Sequence, residues 1–199
     1  MDPRSRRSLD SLTRAVLQLA RERPLDDISV SEVANAAGVT RDTFYRHASS
    51  VVDLLAAALS LELTALADRY APILADPPEP HDLVFSAESD LLRHVATHAT
   101  IYRSALRAEL GSPVRKALTD FVRRTLAEEL RRRPDIAPEA LGTLDDRTIA
   151  MATAYAASGT VGAIEVWLES GDLTDIEAAA RVIIAASPEW WFATPLLPR

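Results

Sequence analysis

The chain has 199 residues, 48% hydrophobic, 6% aromatic and 26% charged, with no cysteine and a formal charge of −7. That length buries the core of one domain, or of a small module joined to a larger one. The lack of cysteine excludes disulfide scaffolds, zinc-thiolate and iron–sulfur sites and thiol nucleophiles, and the longest apolar runs, Leu54 to Leu59 and Val182 to Ala186, fall short of the roughly 20 residues of a bilayer span.

Leu9, Leu12, Val16 and Leu19 recur at helical spacing and predict a first helix from about Arg6 to Glu22, ended by Pro24. No apolar secretory core precedes it, so a cytoplasmic protein is expected. Ser29 and Glu32 form a capping box ahead of Val30, Val33, Ala34 and Ala37, the inner face of a short second helix. Gly38 suits the positive φ of a helix end. Thr40 is an N-cap for a third helix, with Val39 and Phe44 spaced as a hydrophobic staple. Two short helices with a glycine turn make a helix-turn-helix candidate. Ser50 and Asp53 repeat the capping pattern before a fourth helix reaching about Tyr70.

Asp76-Pro77-Pro78-Glu79-Pro80 cannot continue a helix and marks a stiff connection. Helices are then expected from Leu83 to His98 and from Tyr102 to Leu110. Another should run from Pro113, capped by Ser112, to Arg133, and a long one from Asp146 to Ser170. Gly171 ends that helix, Thr174 and Glu177 cap the last one, and Ile176, Ala179, Ala180, Ile183 and Ala186 form its apolar stripe. Strand patterns are missing. The expected fold is all-α, with about nine helices: a three-helix unit with the helix-turn-helix candidate over residues 1–50 and a second helical unit over residues 51–199.

At about 100° per residue, a third helix with Phe44 turned inward points Asp42, Thr43, Tyr45 and Arg46 outward and sets Arg41 and His47 on its flanks. Arginine pairs with guanine edges in a major groove, threonine offers a hydroxyl or meets a thymine methyl, and tyrosine or histidine reaches phosphate. The amides near Ser29 and Ser50 can also receive phosphate oxygens. The net acidity argues against a polyanionic partner until it is divided: residues 1–50 carry +1 and residues 51–199 carry −8. A near-neutral head implies weak non-specific affinity and specificity from base contacts.

Residues 9–59 resemble the DNA-binding domain of the tetracycline-repressor (TetR) family. The resemblance rests on Ile28-Ser29-Val30-Ser31-Glu32-Val33-Ala34-Asn35-Ala36-Ala37-Gly38-Val39-Thr40-Arg41-Asp42-Thr43-Phe44-Tyr45-Arg46-His47. It implies a DNA-binding domain over residues 1–50, a ligand-binding and dimerisation domain over residues 51–199, and DNA contacts at Arg41, Asp42, Thr43, Tyr45 and His47, the last two on the backbone; Thr40 as cap, Arg46 on the outward face, and Ser29 and Ser50 at the flanking helix starts complete the expected interface. Ala48 and Val51 depart from the family pattern, which has an aromatic and a basic residue there; Arg46, or an N-terminal arm of Arg4, Arg6 and Arg7, is expected to compensate for the lost phosphate contact. The resemblance further implies a double-stranded operator, a homodimer built on the last two long helices, and an unidentified small-molecule effector in the larger domain. Ala152, Ala156, Gly159 and Ala163, with Ile176, Ala180 and Ile183, are the expected dimer residues. His94, His98, Tyr102, Phe121, Tyr155 and Trp167 are the expected ligand residues.

His94 and His98 are four apart, with Asp90 a turn earlier. That spacing can hold a metal, but Val95 stands where a zinc protease has its glutamate, and no third ligand is apparent, so no metal and no cofactor are expected. Trp190-Trp191-Phe192 should fold back on apolar surface, and Arg131-Arg132-Arg133 should cap a helix end. No phosphate-cradling loop or nucleophile elbow is present, and no catalytic residue is expected. The alternatives are a helical ligand-binding protein or enzyme without DNA binding, and a metal-responsive regulator.

Overall fold

The computed structural model describes residues 2–70, 80–107 and 112–192. In chain order these form α1 (Pro3–Glu22), α2 (Val30–Ala36), α3 (Arg41–Tyr45), α4 (Val51–Tyr70), α5 (Pro80–Thr97), α6 (Ala99–Arg107), α7 (Pro113–Arg132), α8 (Asp146–Ser170) and α9 (Ile176–Ala186). Short 3-10 turns occur at Leu25–Asp27, Pro134–Ile136, Glu139–Leu141 and Glu189–Phe192, and no strand occurs among the described residues. The expected stiff connection at residues 76–79 and the turn at Gly111 lie outside them. The chain divides into two compact units, Met1–Glu62 with His98–Leu118, and Leu63–Thr97 with Thr119–Arg199.

In the first unit, α1 starts earlier than its apolar pattern suggested. Asp2 accepts from the Arg4 amide and Pro3 occupies the first helical position, where its missing N–H costs nothing. Arg4, Arg6 and Arg7 therefore sit on a helix rather than on an extended arm. Leu12, Ala15, Val16, Leu17 and Ala20 form the buried face of α1, which packs on α2 and α6. At the start of α2 the capping box is complete. The Ser29 hydroxyl accepts from the Glu32 amide at 3.2 Å, and the Glu32 carboxylate accepts from the Ser29 amide at 2.9 Å and from its hydroxyl at 2.8 Å. Arg23 closes the arrangement with a 3.0 Å bond to the other Glu32 oxygen. Gly38 turns the chain at φ 66°, a conformation that any side chain with a Cβ adopts at a cost.

In the second unit, α5 packs on α9 and α8 also packs on α9. Leu91, Leu92 and Val95 of α5 and Ala180 and Ile183 of α9 are buried. The turn at Glu189–Phe192 comes back onto Pro134–Ile136, placing Trp191 in a cluster with Leu130, Ile136 and Ile149. Trp190 stacks on Trp191 with ring centroids 4.3 Å apart. Capping of α9 differs from expectation by one residue. Asp172 takes both the amide and the hydroxyl of Thr174, an Asx-type turn, so Asp175 instead receives the Ala178 amide at 2.8 Å.

Helix α8 is long and apolar enough, at a mean hydropathy of 1.2, to cross a membrane by length and composition, a property that the short apolar runs of the sequence did not suggest. Its stripe of Ile149, Thr153, Ala157, Val161, Ile164 and Leu168 is nonetheless buried inside its own unit. The opposite face leaves Met151, Tyr155 and Val166 open to solvent.

Two predictions follow from these contacts. Hydrogen bonds from the Ser29 amide, then from its hydroxyl and Arg23, hold the Glu32 carboxyl down at about 2. A depressed folded value means that the cap contributes fully above the ordinary value of 4.5 and is lost as pH falls towards about 2. Over that window the melting temperature of the native chain should drop more steeply than that of Glu32→Gln; parallel curves would refute the assignment. Trp191→Ala removes the centre of a buried cluster and should lower stability by about 3 to 5 kcal/mol in denaturant unfolding.

Candidate nucleic-acid interface

Helix α3 has only five residues, too few to be stable alone. Three features hold it. Thr40 caps it, accepting from the Thr43 amide at 3.2 Å; Phe44 is fully buried; and α2 packs against it. With Phe44 fixed inward, Thr40, Arg41, Asp42, Tyr45 and Arg46 are exposed, while Thr43 and His47 are half-buried. Tyr45 remains 51% exposed although its ring meets Phe44 edge-on at 5.5 Å. After Tyr45 the chain tightens, the His47 amide reaching back to the Phe44 carbonyl at 2.8 Å. His47 and Ala48 therefore leave the regular helix on which the sequence reading had placed them.

The outward groups are linked to one another. Arg46 donates to the Thr43 hydroxyl at 2.9 Å, and that hydroxyl lies 3.0 Å from the Thr40 hydroxyl. Such a chain orders three polar side chains on one face, so less side-chain entropy is lost when the face meets a ligand. Ser29 and Ser50, at the starts of α2 and α4, are each engaged by a carboxylate of their own helix. Glu32 engages the hydroxyl and amide of Ser29. Asp53 accepts from the hydroxyls of both Ser49 and Ser50, and its own amide donates to the Ser50 hydroxyl at 3.1 Å. An internal carboxylate thus sits beside each of these two serines.

The expected ligand residues do not form one lining. In the first unit His98 is buried and its Nε2 lies 2.7 Å from Glu62 Oε2. Tyr102 is fully buried, and burial, reinforced by the Glu62 charge, pushes its hydroxyl above the usual tyrosine value. In the second unit His94 and Trp167 are half-buried and Phe121 is buried. Tyr155 is 78% exposed, so it lines no interior of its unit.

Among the expected dimer residues, Ala180 and Ile183 are buried where α9 packs on its own unit. Ala152, Ala156, Ala163 and Ile176 are half-buried, and Gly159 is exposed.

Two carboxylates escaped the sequence reading. Glu62 reaches His98 across 36 positions of chain, and nothing in a local pattern links them. Glu88 did leave a signal, since it stands four residues before Leu92 and seven before Val95, on the apolar stripe of α5. Glu88 Oε1 and the neighbouring Ser89 Oγ are buried without a hydrogen-bond partner among the described residues, and burial pushes the Glu88 carboxyl up to about 7.

Residues 12–58 match the family described as bacterial regulatory proteins, tetR family. No curated protein matches the chain. Among solved structures, a tetR-family transcriptional regulator from Streptomyces coelicolor is 19% identical, with a TM-score of 0.63 over 93% of this chain and 80% of the other. The Thermus thermophilus FadR, a TetR-family transcriptional repressor in complex with lauroyl-CoA, is 19% identical, with a TM-score of 0.65 over 89% and 91%. RolR in complex with resorcinol is 18% identical, with a TM-score of 0.62 over 100% and 99%. At these identities the structures show a shared fold. The match assigns residues 12–58 to the tetR family's helix-turn-helix region, and the remainder of the chain shares the fold of these solved regulators.

Proposed function

We propose that the chain acts in the cytoplasm as a homodimeric repressor, binding a palindromic operator through α3 and leaving it when a small molecule binds the helical part beyond the reading head. The observation that carries this reading is the outer face of α3. With Phe44 anchored, Arg41, Asp42, Tyr45 and Arg46 project from a helix narrow enough for a major groove. Arg41 and Arg46 are the base-reading cations, Thr43 a hydroxyl or methyl contact, and Tyr45 and His47 the backbone contacts.

Dimerisation accounts for the outer face of α8. Met151, Tyr155, Gly159, Gly162 and Val166 fall within one stripe at about 100° per residue, opposite the stripe that packs inside the unit. A Cβ at Gly159 or Gly162 would meet nothing within 4 Å. Packing within the chain therefore does not require these glycines, which cost a helix about 1 kcal/mol each; close approach of a second α8 would. Val182 of α9 is exposed as well and extends the apolar surface. Two such helices from each of two chains make a four-helix contact. A dimer also presents two α3 helices about one DNA turn apart, the geometry that reads an inverted repeat.

Effector control draws support from the molecules bound by the Thermus FadR and by RolR, and from Glu88. A buried carboxyl lacking a protein partner costs stability, and a ligand that donates a hydrogen bond to it would recover that cost. Coupling needs only a few kcal/mol of differential affinity between two states to empty an operator.

Selection of random duplexes with the full chain should return an inverted repeat. Arg41→Ala should weaken binding to it about 10- to 100-fold, equivalent to about 1–3 kcal/mol; failure to enrich any sequence, or unchanged affinity, would count against the reading. Tyr155→Glu combined with Val166→Glu places charge on the outer face of α8 and should halve the mass seen in light scattering while leaving the helical circular dichroism intact. A native chain that is already monomeric at micromolar concentration would overturn the dimer.

A further inference from the structure

We propose that Glu88 and Ser89 of α5 bind an amphiphilic organic amine, one with a protonated nitrogen on an apolar body. The proposal rests on the effector reading above and gives that effector a chemical class. Both residues lie in the second unit, together with α9 and the Glu189–Phe192 turn, the elements that pack on their helix. The site therefore asks nothing of the first unit.

Glu88 Oε1 and Ser89 Oγ belong to consecutive residues, and both are buried without a hydrogen-bond partner among the described residues. Native interiors leave few such groups, because each forfeits its hydration and gains nothing in return. A helical serine or threonine ordinarily settles its hydroxyl on the carbonyl one turn back. Thr97 and Thr153 do so; Ser89 does not. The surroundings of the pair along α5 are apolar. Val84 and Phe85 stand one turn before Glu88, half-buried, and Leu91 and Leu92 one turn after it, buried. Glu88 as a whole is half-buried although its Oε1 does not touch solvent, so the carboxyl lies just beneath the surface, within reach of a solute.

Charge selects the head group. Burial alone pushes the Glu88 carboxyl up to about 7, and no cation draws it back. Arginines of α5 and its neighbours in the unit are committed elsewhere, Arg69 and Arg93 to Asp90 and Arg181 to Glu177. His94, six residues on, lies about 120° around the helix from Glu88, and the acids of the packed elements, Glu177 and Glu189, are exposed. An ammonium supplies the counter-charge that the unit does not. Its N–H groups donate to the Glu88 carboxylate and to Ser89 Oγ, and its charge holds the carboxyl ionised. A neutral alcohol regains a hydrogen bond without the charge, and an anionic head meets a carboxylate of its own sign.

Calorimetry on the full chain without DNA tests the site, with phenylbutylamine as the probe and phenylbutanol and phenylbutyrate as neutral and anionic counterparts on the same body. The amine should bind about tenfold or more tightly than either counterpart, and its affinity should rise as pH passes upward through about 7 and the carboxyl ionises. Glu88→Gln should lower amine affinity about tenfold or more and leave alcohol affinity within about twofold. Glu88→Met should abolish the preference and raise the melting temperature of the unliganded chain, because it removes a buried carboxyl that has no partner; a glutamate retained for structure would give a lower one. Absence of saturable amine binding, no preference for amine over alcohol, or a preference that survives Glu88→Gln would overturn the site. Operator affinity is read separately. Amine binding through Glu88 that leaves it unchanged supports the site and counts against effector control, whereas failure of amine binding leaves operator selection to be judged on its own.

Discussion

Burial of Phe44 is the constraint on which the reading head depends. A five-residue helix has one turn of backbone hydrogen bonds, and its nucleation cost exceeds what they return. The orientation of α3 must therefore come from outside it. Phe44, inserted among the apolar side chains of the first unit, fixes its rotation; Thr40 fixes its start; and the glycine turn at φ 66° fixes its approach from α2. Once these are set, Arg41, Asp42, Tyr45 and Arg46 have no inward alternative. The outward face of α3 is a by-product of one buried ring.

The same logic operates in reverse on α8. A helix buried on one side normally carries polar residues on the other. Here the second side has Met151, Tyr155 and Val166, with glycines at 159 and 162 that packing within the chain does not use. Hydrophobicity on both faces explains why the helix passes a length-and-hydropathy test for a membrane span while its inner stripe is part of a protein core. That outer face is apolar surface that packing within the chain leaves open.

Local chemistry made most of the fold legible. Capping residues, proline, glycine and the 3.6-residue period act over three or four positions, so Ser29 with Glu32, Thr40, Pro113 and Gly171 marked helix ends where the structure has them. The outward face of α3 followed from the same period once Phe44 was turned inward. Errors arose where a second local interaction competed. Asp172 captured Thr174 and passed the cap to Asp175, and Asp2 with Pro3 extended α1 through the expected arm. In α9 the apolar stripe was visible, but periodicity cannot say whether Ala180 and Ile183 face their own unit or a partner. Contacts between residues far apart in the chain, such as Glu62 with His98, leave no trace in spacing.

Charge distribution links the two ends of this account. The net −7 hides a head at +1, and part of that head's charge is internally committed: Arg23 is bonded to Glu32, and Arg46 to the Thr43 hydroxyl. Carboxylates of Glu32 and Asp53 also engage the serines at the starts of α2 and α4. A head at +1 offers little bulk attraction to a polyanion, so in the proposed function affinity comes from a few ordered groups on α3, counted twice in the dimer. A regulator built this way gains most from fixing the distance between its two reading helices, because little non-specific binding remains to hold it on DNA when that distance is wrong. In the proposed dimer the apolar outer face of α8 would join the subunits, and the acidity of residues 51–199 would discourage any other contact with DNA.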